Sequence, residues 1–329
     1  MSFNLLNSGR RNHCECFVSG CELRTIIEAV YDEVRRSVCQ PTTGTVKCNG
    51  RFGEPINSQE GHNAVGCRVT RRIGVVGNGA IGSVVARELA NGLVDGASLE
   101  CVVVRSACTD LLAPAVPLDE ALGRCDLIVE AAGHQFVCDH GERILGAGPD
   151  LLVASIGALA DEILYARLLA ARPGRLFLTA GALGGLDLIS AARRLAPFEK
   201  VELITTKLPK TLIQPWMTAR EKQRLAAATS PIDVHRGSAR EVARLFPKSA
   251  NVAAALALAA RTWEVQVLLR ADPMATATSH RISAKHPFGS YHFEIENAPD
   301  AANPATSMVV PFAILRGIAT VAGERGQIV

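Results

Sequence analysis

The sequence predicts an α/β protein in which a Rossmann-type doubly wound parallel sheet is followed by an α+β domain with an open mixed sheet. Two observations favour this fold class. From Arg71 onward, short apolar stretches typical of buried strands alternate with helical patterns, as expected for a parallel sheet with crossover helices. After Val201 the strands have mixed polarity, which indicates a sheet that is open on one face.

The predicted elements of the first sheet follow one another in β-α order. Strands are expected at 72–77, 99–104, 126–132, 151–155 and 175–179, with helices at 83–91, 118–122, 136–145 and 163–169. For the second sheet, strands are expected at 201–206, 264–270 and 291–296, with helices at 186–195, 239–246 and 251–260. A last helix at 307–319 is expected to return to the first sheet.

Composition excludes several classes of protein. Lys and Arg number 35 against 32 Asp and Glu, so a net charge of +3 is too small to indicate a nucleic-acid partner. No apolar run approaches the roughly 18 residues of a membrane span, and Arg10, Arg11 and Glu15 interrupt any secretory leader. The ten cysteines form no C-x-x-C pair and match no zinc template. We therefore expect reduced thiols, no metal site and a cytoplasmic protein.

A glycine-rich loop follows the first predicted strand and opens the first predicted helix. It comprises Gly77, Asn78, Gly79, Ala80, Ile81 and Gly82, in the pattern G-x-G-x-x-G. The first glycine permits a tight turn, the second lets the backbone approach a pyrophosphate, and the third permits close packing of helix on strand. The helix N-terminus then presents unpaired N–H groups to the phosphates. The loop predicts binding of NAD or NADP.

The end of the second predicted strand bears on the choice between these cofactors. An Asp or Glu that would bind the ribose of NAD is missing, and Arg105 stands at the strand end instead. An arginine there can pair with a 2′-phosphate, so we predict that NADP is accepted. The other interpretation of Arg105 is a solvated strand end, and the preference between NAD and NADP stays open.

These observations divide the chain into four parts. Residues 1–69 are rich in Asn, Gly, Ser and Cys, contain one helical pattern at 22–38, and are expected to be a poorly ordered extension. Residues 70–185 are expected to form the dinucleotide-binding domain and 186–306 the α+β catalytic domain. Residues 307–329 are expected to hold the returning C-terminal helix.

Eight short motifs carry a resemblance to a known family. They are 130–134 (EAAGH), 155–159 (SIGAL), 181–184 (GALG), 237–241 (GSARE), 246–254 (FPKSANVAA), 271–273 (ADP), 288–289 (FG) and 303–307 (NPATS). In order and spacing they resemble the L-aspartate dehydrogenases over about residues 71–320. The resemblance implies NAD- or NADP-dependent oxidation of L-aspartate, through iminoaspartate, to oxaloacetate and ammonia. It also implies that iminoaspartate can supply NAD biosynthesis, and we expect a homodimer.

The resemblance also implies site residues. His280, in a loop after the Ala-Asp-Pro segment, is expected to be the catalytic residue, and an imidazole suits a step that moves a proton near neutral pH. Ala182 and Asn251 are expected to contact the cofactor, although Asn251 could instead be a helix N-cap. The chain departs from the family at Thr278, where Asn is usual, and at 206–209, where Arg-Lys-Pro is usual. No basic residue is therefore assigned to the substrate carboxylates.

Two other functions stay open at this point. One is a related two-domain NAD(P)-dependent reductase of aspartate-derived substrates, which would share the first domain but lack the Ala-Asp-Pro…His element. The other is a non-catalytic dinucleotide-binding regulator, which would bind cofactor without aspartate-dependent reduction. An assay with L-aspartate separates them.

Overall fold

Five parallel strands form the first sheet, in a computed structural model that describes residues 70–105, 111–299 and 306–324. Their interiors are almost entirely apolar, because helices cover both faces of the sheet. They are β1 (Arg71–Val76), β2 (Ala97–Val103), β3 (Leu127–Glu130), β4 (Asp150–Val153) and β5 (Leu176–Leu178). Their order is β2-β1-β3-β4-β5, and a parallel bridge between Val102 and Ala115 adds a further segment outside β2.

Helices pack on both faces of this sheet. They are α1 (Gly82–Ala90), α2 (Leu118–Arg124), α3 (His134–Ala147) and α4 (Glu162–Ala170), with a short 3₁₀ helix at Ile156–Ala160. One core contains residues of α3 and α4, including Val137, Ile144 and Leu168. The opposite core contains Val85 and Leu89 of α1. The doubly wound parallel sheet predicted from the sequence is confirmed.

The second sheet is mixed and open on one face. Its strands are β6 (Lys200–Lys207), β7 (Ile232–Ser238), β8 (Gln266–Ala271), β9 (Thr278–His286) and β10 (Gly289–Asn297), in the order β10-β9-β6-β8-β7. Only β6 and β8 are parallel; the other pairs are antiparallel. Residues of β6 alternate between buried and partly exposed, so one face packs on a core and the other faces out. The predicted open mixed sheet is confirmed.

The remaining helices complete the described chain. They are α5 (Leu186–Leu195), α6 (Pro209–Leu212), α7 (Ala219–Ala226), α8 (Ala239–Leu245), α9 (Ala250–Ala260) and α10 (Val309–Ala322), with a 3₁₀ turn at Pro247–Ser249. Ile314, Leu315 and Ile318 of α10 pack in the same core as α1. None of the helices in the described ranges is long and apolar enough to cross a membrane.

Helix α9 is shared between the cores of the two sheets. Ala254 and Ala255 belong to the core of the first sheet, whereas Ala253 and Leu256 belong to the core of the second. Alanine side chains let the helix approach both layers closely, and most of its residues are buried. As a result, the N-terminal end of α9 lies beside the 3₁₀ helix of the first domain.

Several elements differ from the sequence prediction. The strands β7 and β9 and the helices α6 and α7 were not predicted, and His280 lies in β9 rather than in a loop. The reason is visible in β9, where the inward positions include two histidines, and the outward positions are Ser, Arg and Lys. That composition hides the alternation of a half-buried strand. The predicted helix at 22–38 and the extension 1–69 lie outside the described residues.

Candidate active site

The glycine loop joins β1 to α1 in a tight turn. Gly77 has a φ of +96°, and a Cβ there would lie 2.6 Å from the carbonyl oxygen of Ala131. A Cβ on Gly82 would collide with the carbonyl oxygen of Gly77. Gly79 differs from both, because no atom lies within 4 Å of the place where its Cβ would be. The loop is therefore closed on the protein side and open at Gly79, which fits the approach of a dinucleotide phosphate.

A cavity of about 460 Å³ lies where the carboxyl ends of the first sheet face the second sheet. In this sheet β2 lies on one side of β1, and β3 lies on the other, so the order of the strands changes direction at β1. The crevice at such a point is the usual ligand position in an open α/β sheet. Its lining includes Gly79–Ile81, Ala131–Gly133, Ala154–Ile156, Thr179–Ala182, Lys207, Ser249, Asn251, Val252, Thr278, His280, Thr306, Ser307 and Val310. Within the described part of the chain, Lys207 and His280 are the only ionisable side chains of this lining.

Glu130 joins two walls of the cavity. The carboxylate is fully buried at the end of β3 and accepts five hydrogen bonds. Its Oε1 accepts from the N–H groups of Ala132 and Gly133, at 2.8 and 2.7 Å, and from Ser155 Oγ, at 2.9 Å. Its Oε2 accepts from the N–H groups of Ala154 and Ser155, at 3.2 and 2.9 Å. The loops after β3 and β4 are thereby held to one side chain.

His280 is held on a strand by a residue of the neighbouring strand. Its side chain is buried, and its Nδ1 lies 3.0 Å from Oγ1 of Thr205, which faces it directly across the β6–β9 pair. Burial, and secondarily the cation of Lys207, lowers the pKa of His280 from 6.5 to about 3. The imidazole is therefore neutral at physiological pH. The sequence alone indicated an imidazole suited to proton transfer near neutral pH, and burial places the pKa of His280 below that range.

Lys207 reaches the same cavity from the end of β6. The residue is 9% exposed, and its Nζ lies 3.4 Å from Ser249 Oγ. Burial lowers the pKa of the Lys207 ammonium from 10.5 to about 8. The sequence analysis left this residue unassigned.

Asn251, at the start of α9, contacts residues of the first sheet's layer at the cavity wall. Its Oδ1 accepts a hydrogen bond from the N–H of Gly157, at 3.0 Å, and lies 3.0 Å from Nε2 of His134. Because a carboxamide oxygen only accepts, the second contact requires a proton on Nε2 of His134. Helix α9 begins at Ala250, one residue earlier, so the alternative of an Asn251 N-cap is wrong.

The structure brings most of the predicted site residues together. Gly79, Ala80, Ile81, Ala182, Asn251 and His280 line the cavity, and Gly77, Asn78 and Gly82 complete the loop behind it. Ala182 is buried, and its carbonyl oxygen accepts a hydrogen bond from Asn297 Nδ2 at 3.0 Å. Arg105 is exposed and does not line the cavity, and the residues that follow it lie outside the described ranges.

Sequence reasoning missed four polar residues of this region: Glu130, Thr205, Lys207 and Ser249. A signal for two of them was present, because Thr205 and Lys207 continue the alternation of the buried residues Val201 and Leu203 along β6. Glu130 and Ser249 lie in two of the motifs that carry the family resemblance, but their contacts join segments far apart in the chain, so the motifs gave them no role.

Comparisons with known proteins agree with this geometry. Residues 77–174 match the family model described as homoserine dehydrogenase, NAD binding domain. Residues 187–321 match the model described as aspartate dehydrogenase, C-terminal. A dinucleotide loop and a catalytic domain that share one cavity thus define an NAD(P)-dependent amino-acid dehydrogenase.

Individual relatives narrow the class further. L-aspartate dehydrogenase 2 of Bordetella pertussis is 37% identical over 278 residues, which cover 76% of this chain and 96% of the relative. L-aspartate dehydrogenase of Ruegeria pomeroyi is 36% identical over 259 residues, covering 75% and 91%. The crystal structure of aspartate dehydrogenase from Thermotoga maritima matches with a TM-score of 0.61 and 25% identity, covering 79% of this chain and 98% of that one. The chain belongs to the L-aspartate dehydrogenase family.

Proposed function

We propose that this protein oxidises L-aspartate with NAD or NADP, through iminoaspartate, to oxaloacetate and ammonia. The observation that carries the proposal is the single cavity that joins the glycine loop, Asn251 and His280. A cofactor on the loop of one domain would meet an imidazole from the sheet of the other, with space between them for a small diacid.

The cofactor would be held by residues of both domains. The N–H groups at the start of α1 and the open side of Gly79 would bind the pyrophosphate. Ala182 and Asn251 would contact the nicotinamide half, and Asn251 is already fixed there by Gly157 and His134. When bound, the nicotinamide supplies the acceptor for the hydride that leaves Cα of the substrate.

His280 would handle the protons of the reaction. In the tautomer whose Nδ1–H donates to Thr205 Oγ1, the other nitrogen, Nε2, carries an electron pair that would accept a proton from the substrate amine. Loss of the hydride and of this proton leaves the imine. The same nitrogen would then assist the addition of water to the imine, which releases ammonia and oxaloacetate. The neutral ring has an electron pair for this step, and its low pKa makes it a weak base in the ligand-free protein.

Iminoaspartate that leaves the cleft before water adds would be the form that supplies NAD biosynthesis.

The proposal divides the chain as the sequence suggests: a dinucleotide-binding domain at 70–185, a catalytic domain at 186–306 and a returning helix within 307–329. The cytoplasmic location rests on the sequence, in which the ten cysteines form no C-x-x-C pair and match no zinc template. A homodimer stays a prediction.

The test is the formation of reduced nicotinamide, followed by its ultraviolet absorbance, when the full-length protein is mixed with L-aspartate and either cofactor at alkaline pH. His280→Ala should lower kcat by about 100-fold or more and leave the Kd of the cofactor within about twofold. His292→Ala, an exposed histidine on β10, is the matched control and should behave as the wild type. Cofactor binding without any turnover of L-aspartate would favour the regulator instead.

A further inference from the structure

The end of β6 places a cation in the active-site cavity. Along this strand Val201, Leu203, Thr205 and Lys207 alternate inward and are buried, so the ammonium group of Lys207 is carried into the protein rather than towards solvent. A lysine at a strand end ordinarily extends its amino group into water. Here the residue is 9% exposed and lines the same cavity as His280.

The described residues give this cation no anionic partner. Lys207 forms none of the described ion pairs, and no Asp or Glu belongs to the described lining of the cavity. Its polar contact is the hydroxyl of Ser249, 3.4 Å away, which is a neutral and long hydrogen bond. Taking an ammonium out of water without a counter-ion is unfavourable, and such groups are ordinarily paired. The depressed pKa of Lys207, about 8, is a consequence of this burial.

We propose that Lys207 is the residue that binds a carboxylate of the substrate. The carboxylate of an acidic amino acid would then be the anionic partner that no described residue provides for this ammonium group. This inference rests on the proposed function, because it names the recognition of the substrate in the same cavity. Ser249 is a positioning residue here, since its hydroxyl holds the ammonium at the cavity wall.

Binding of an anion at Lys207 also has a consequence for His280. The Lys207 cation disfavours a positive charge on the imidazole. A carboxylate next to Lys207 offsets that effect, so His280 becomes a better proton acceptor when a substrate is present.

The first experiment compares Lys207→Met with Lys210→Met in the full-length enzyme. Methionine keeps the length and packing of the side chain and removes its charge. Lys207→Met should raise KM for L-aspartate roughly 10- to 100-fold, the effect of losing a charge-assisted hydrogen bond, with a smaller change in kcat and an unchanged Kd for the cofactor. Lys210 is exposed on α6, outside the cavity lining, and its variant should match the wild type.

The second experiment measures binding without turnover. Succinate, an unreactive dicarboxylate, is titrated calorimetrically into the cofactor-bound protein, with butyrate as the monocarboxylate at equal ionic strength. The wild type should bind succinate more tightly than butyrate, and Lys207→Met should weaken the affinity for succinate about tenfold or more. If Lys207→Met does not fold, Lys207→Gln takes its place. Unchanged KM and unchanged succinate affinity in a folded variant would overturn the inference.

The two proposals fail in different ways. If the wild type binds succinate through Lys207 but does not oxidise L-aspartate, the proposed function is wrong and Lys207 remains a dicarboxylate ligand. If L-aspartate is oxidised with the same KM whether or not Lys207 is present, the enzyme assignment stands and the role of Lys207 is wrong.

Discussion

His280 Nδ1 lies 3.0 Å from Thr205 Oγ1, and the two residues face each other directly across the antiparallel pair β6–β9. Both side chains are buried. The imidazole is therefore placed by a hydrogen-bonded sheet rather than by a mobile loop, and its ring orientation is fixed by a neighbour on another strand. Catalytic groups held on strands are positioned more accurately than groups on loops.

Replacing Thr205 tests this relationship. Thr205→Val keeps the shape of the side chain but removes the hydroxyl, so the ring loses the hydrogen-bond partner that fixes its orientation. We expect kcat to fall about tenfold, with the Kd of the cofactor unchanged. Thr205→Ser should restore most of the activity. Thr206→Val, on the opposite face of β6, is the control, and an equal loss in that variant would mean that the hydroxyl of Thr205 has no special part.

Burial of the His280 imidazole also predicts that the free energy of unfolding depends on pH. The pKa of His280 is 6.5 when unfolded and about 3 when folded, so the unfolded chain binds the proton first as the pH falls. The free energy of unfolding should therefore decrease below pH 6.5. Between pH 6.5 and 4.5 this one group should account for a loss of about 2 kcal/mol.

Urea unfolding of the wild type and of His280→Gln at the two pH values measures this contribution. The difference between the pH values should be smaller in the variant by that amount, whatever its absolute stability. Parallel pH profiles for the two proteins would show that His280 takes up its proton equally well in both states.

A methyl group at residue 79 should affect the cofactor and not the fold. Gly79 has space around its Cβ position and no positive φ, so Gly79→Ala is expected to fold normally. The added methyl group stands where a phosphate would approach, and the Kd of NAD and NADP should rise at least tenfold.

Gly146→Ala, in the last turns of α3, is the matched control for that variant. It also has open space at its Cβ, and it should gain roughly 0.5–1 kcal/mol of stability with no change in cofactor affinity. Cofactor titration by fluorescence and thermal unfolding distinguish the two effects. Unaltered cofactor binding by Gly79→Ala would mean that the phosphates lie elsewhere.

Charge reversal at Arg105 tests the preference for NADP. The residue is exposed at the end of β2, where a 2′-phosphate would lie in a dinucleotide site of this kind. Arg105→Asp should lower kcat/KM for NADP by about tenfold or more relative to NAD. The same charge change at Arg194, an exposed position of α5, should leave the ratio unaltered. If Arg105→Asp also leaves it unaltered, the arginine is only a solvated strand end.

The sequence predicts the first sheet well for a physical reason. The strands β1, β3 and β4 contain short apolar runs, at 73–76, 127–129 and 151–153. A parallel sheet that is covered on both faces has apolar residues at successive positions, so no alternation has to be recognised. The second sheet was predicted less completely. In β9 the inward positions hold His280 and His286, which resemble a polar loop when only the local composition is considered.

The residues of the site were also predicted only in part. The glycine loop could be located because its function depends on adjacent residues. The partners of Glu130, Lys207 and His280 depend on the register of strands that are distant in the chain. Thr205 lies opposite His280, for example, because two strands pair whose facing residues are 75 positions apart in the chain. No spacing in the sequence encodes that pairing.

The alanine-rich helix α9 couples the packing of the two hydrophobic cores. Since neighbouring residues of this one helix fill both hydrophobic cores, it cannot slide towards either layer without opening a void in the other. A motion that separated the two layers would therefore have to break the packing of this helix in at least one of the cores. A larger side chain at Ala254, which is fully buried in the core of the first sheet, would force the helix and that core apart.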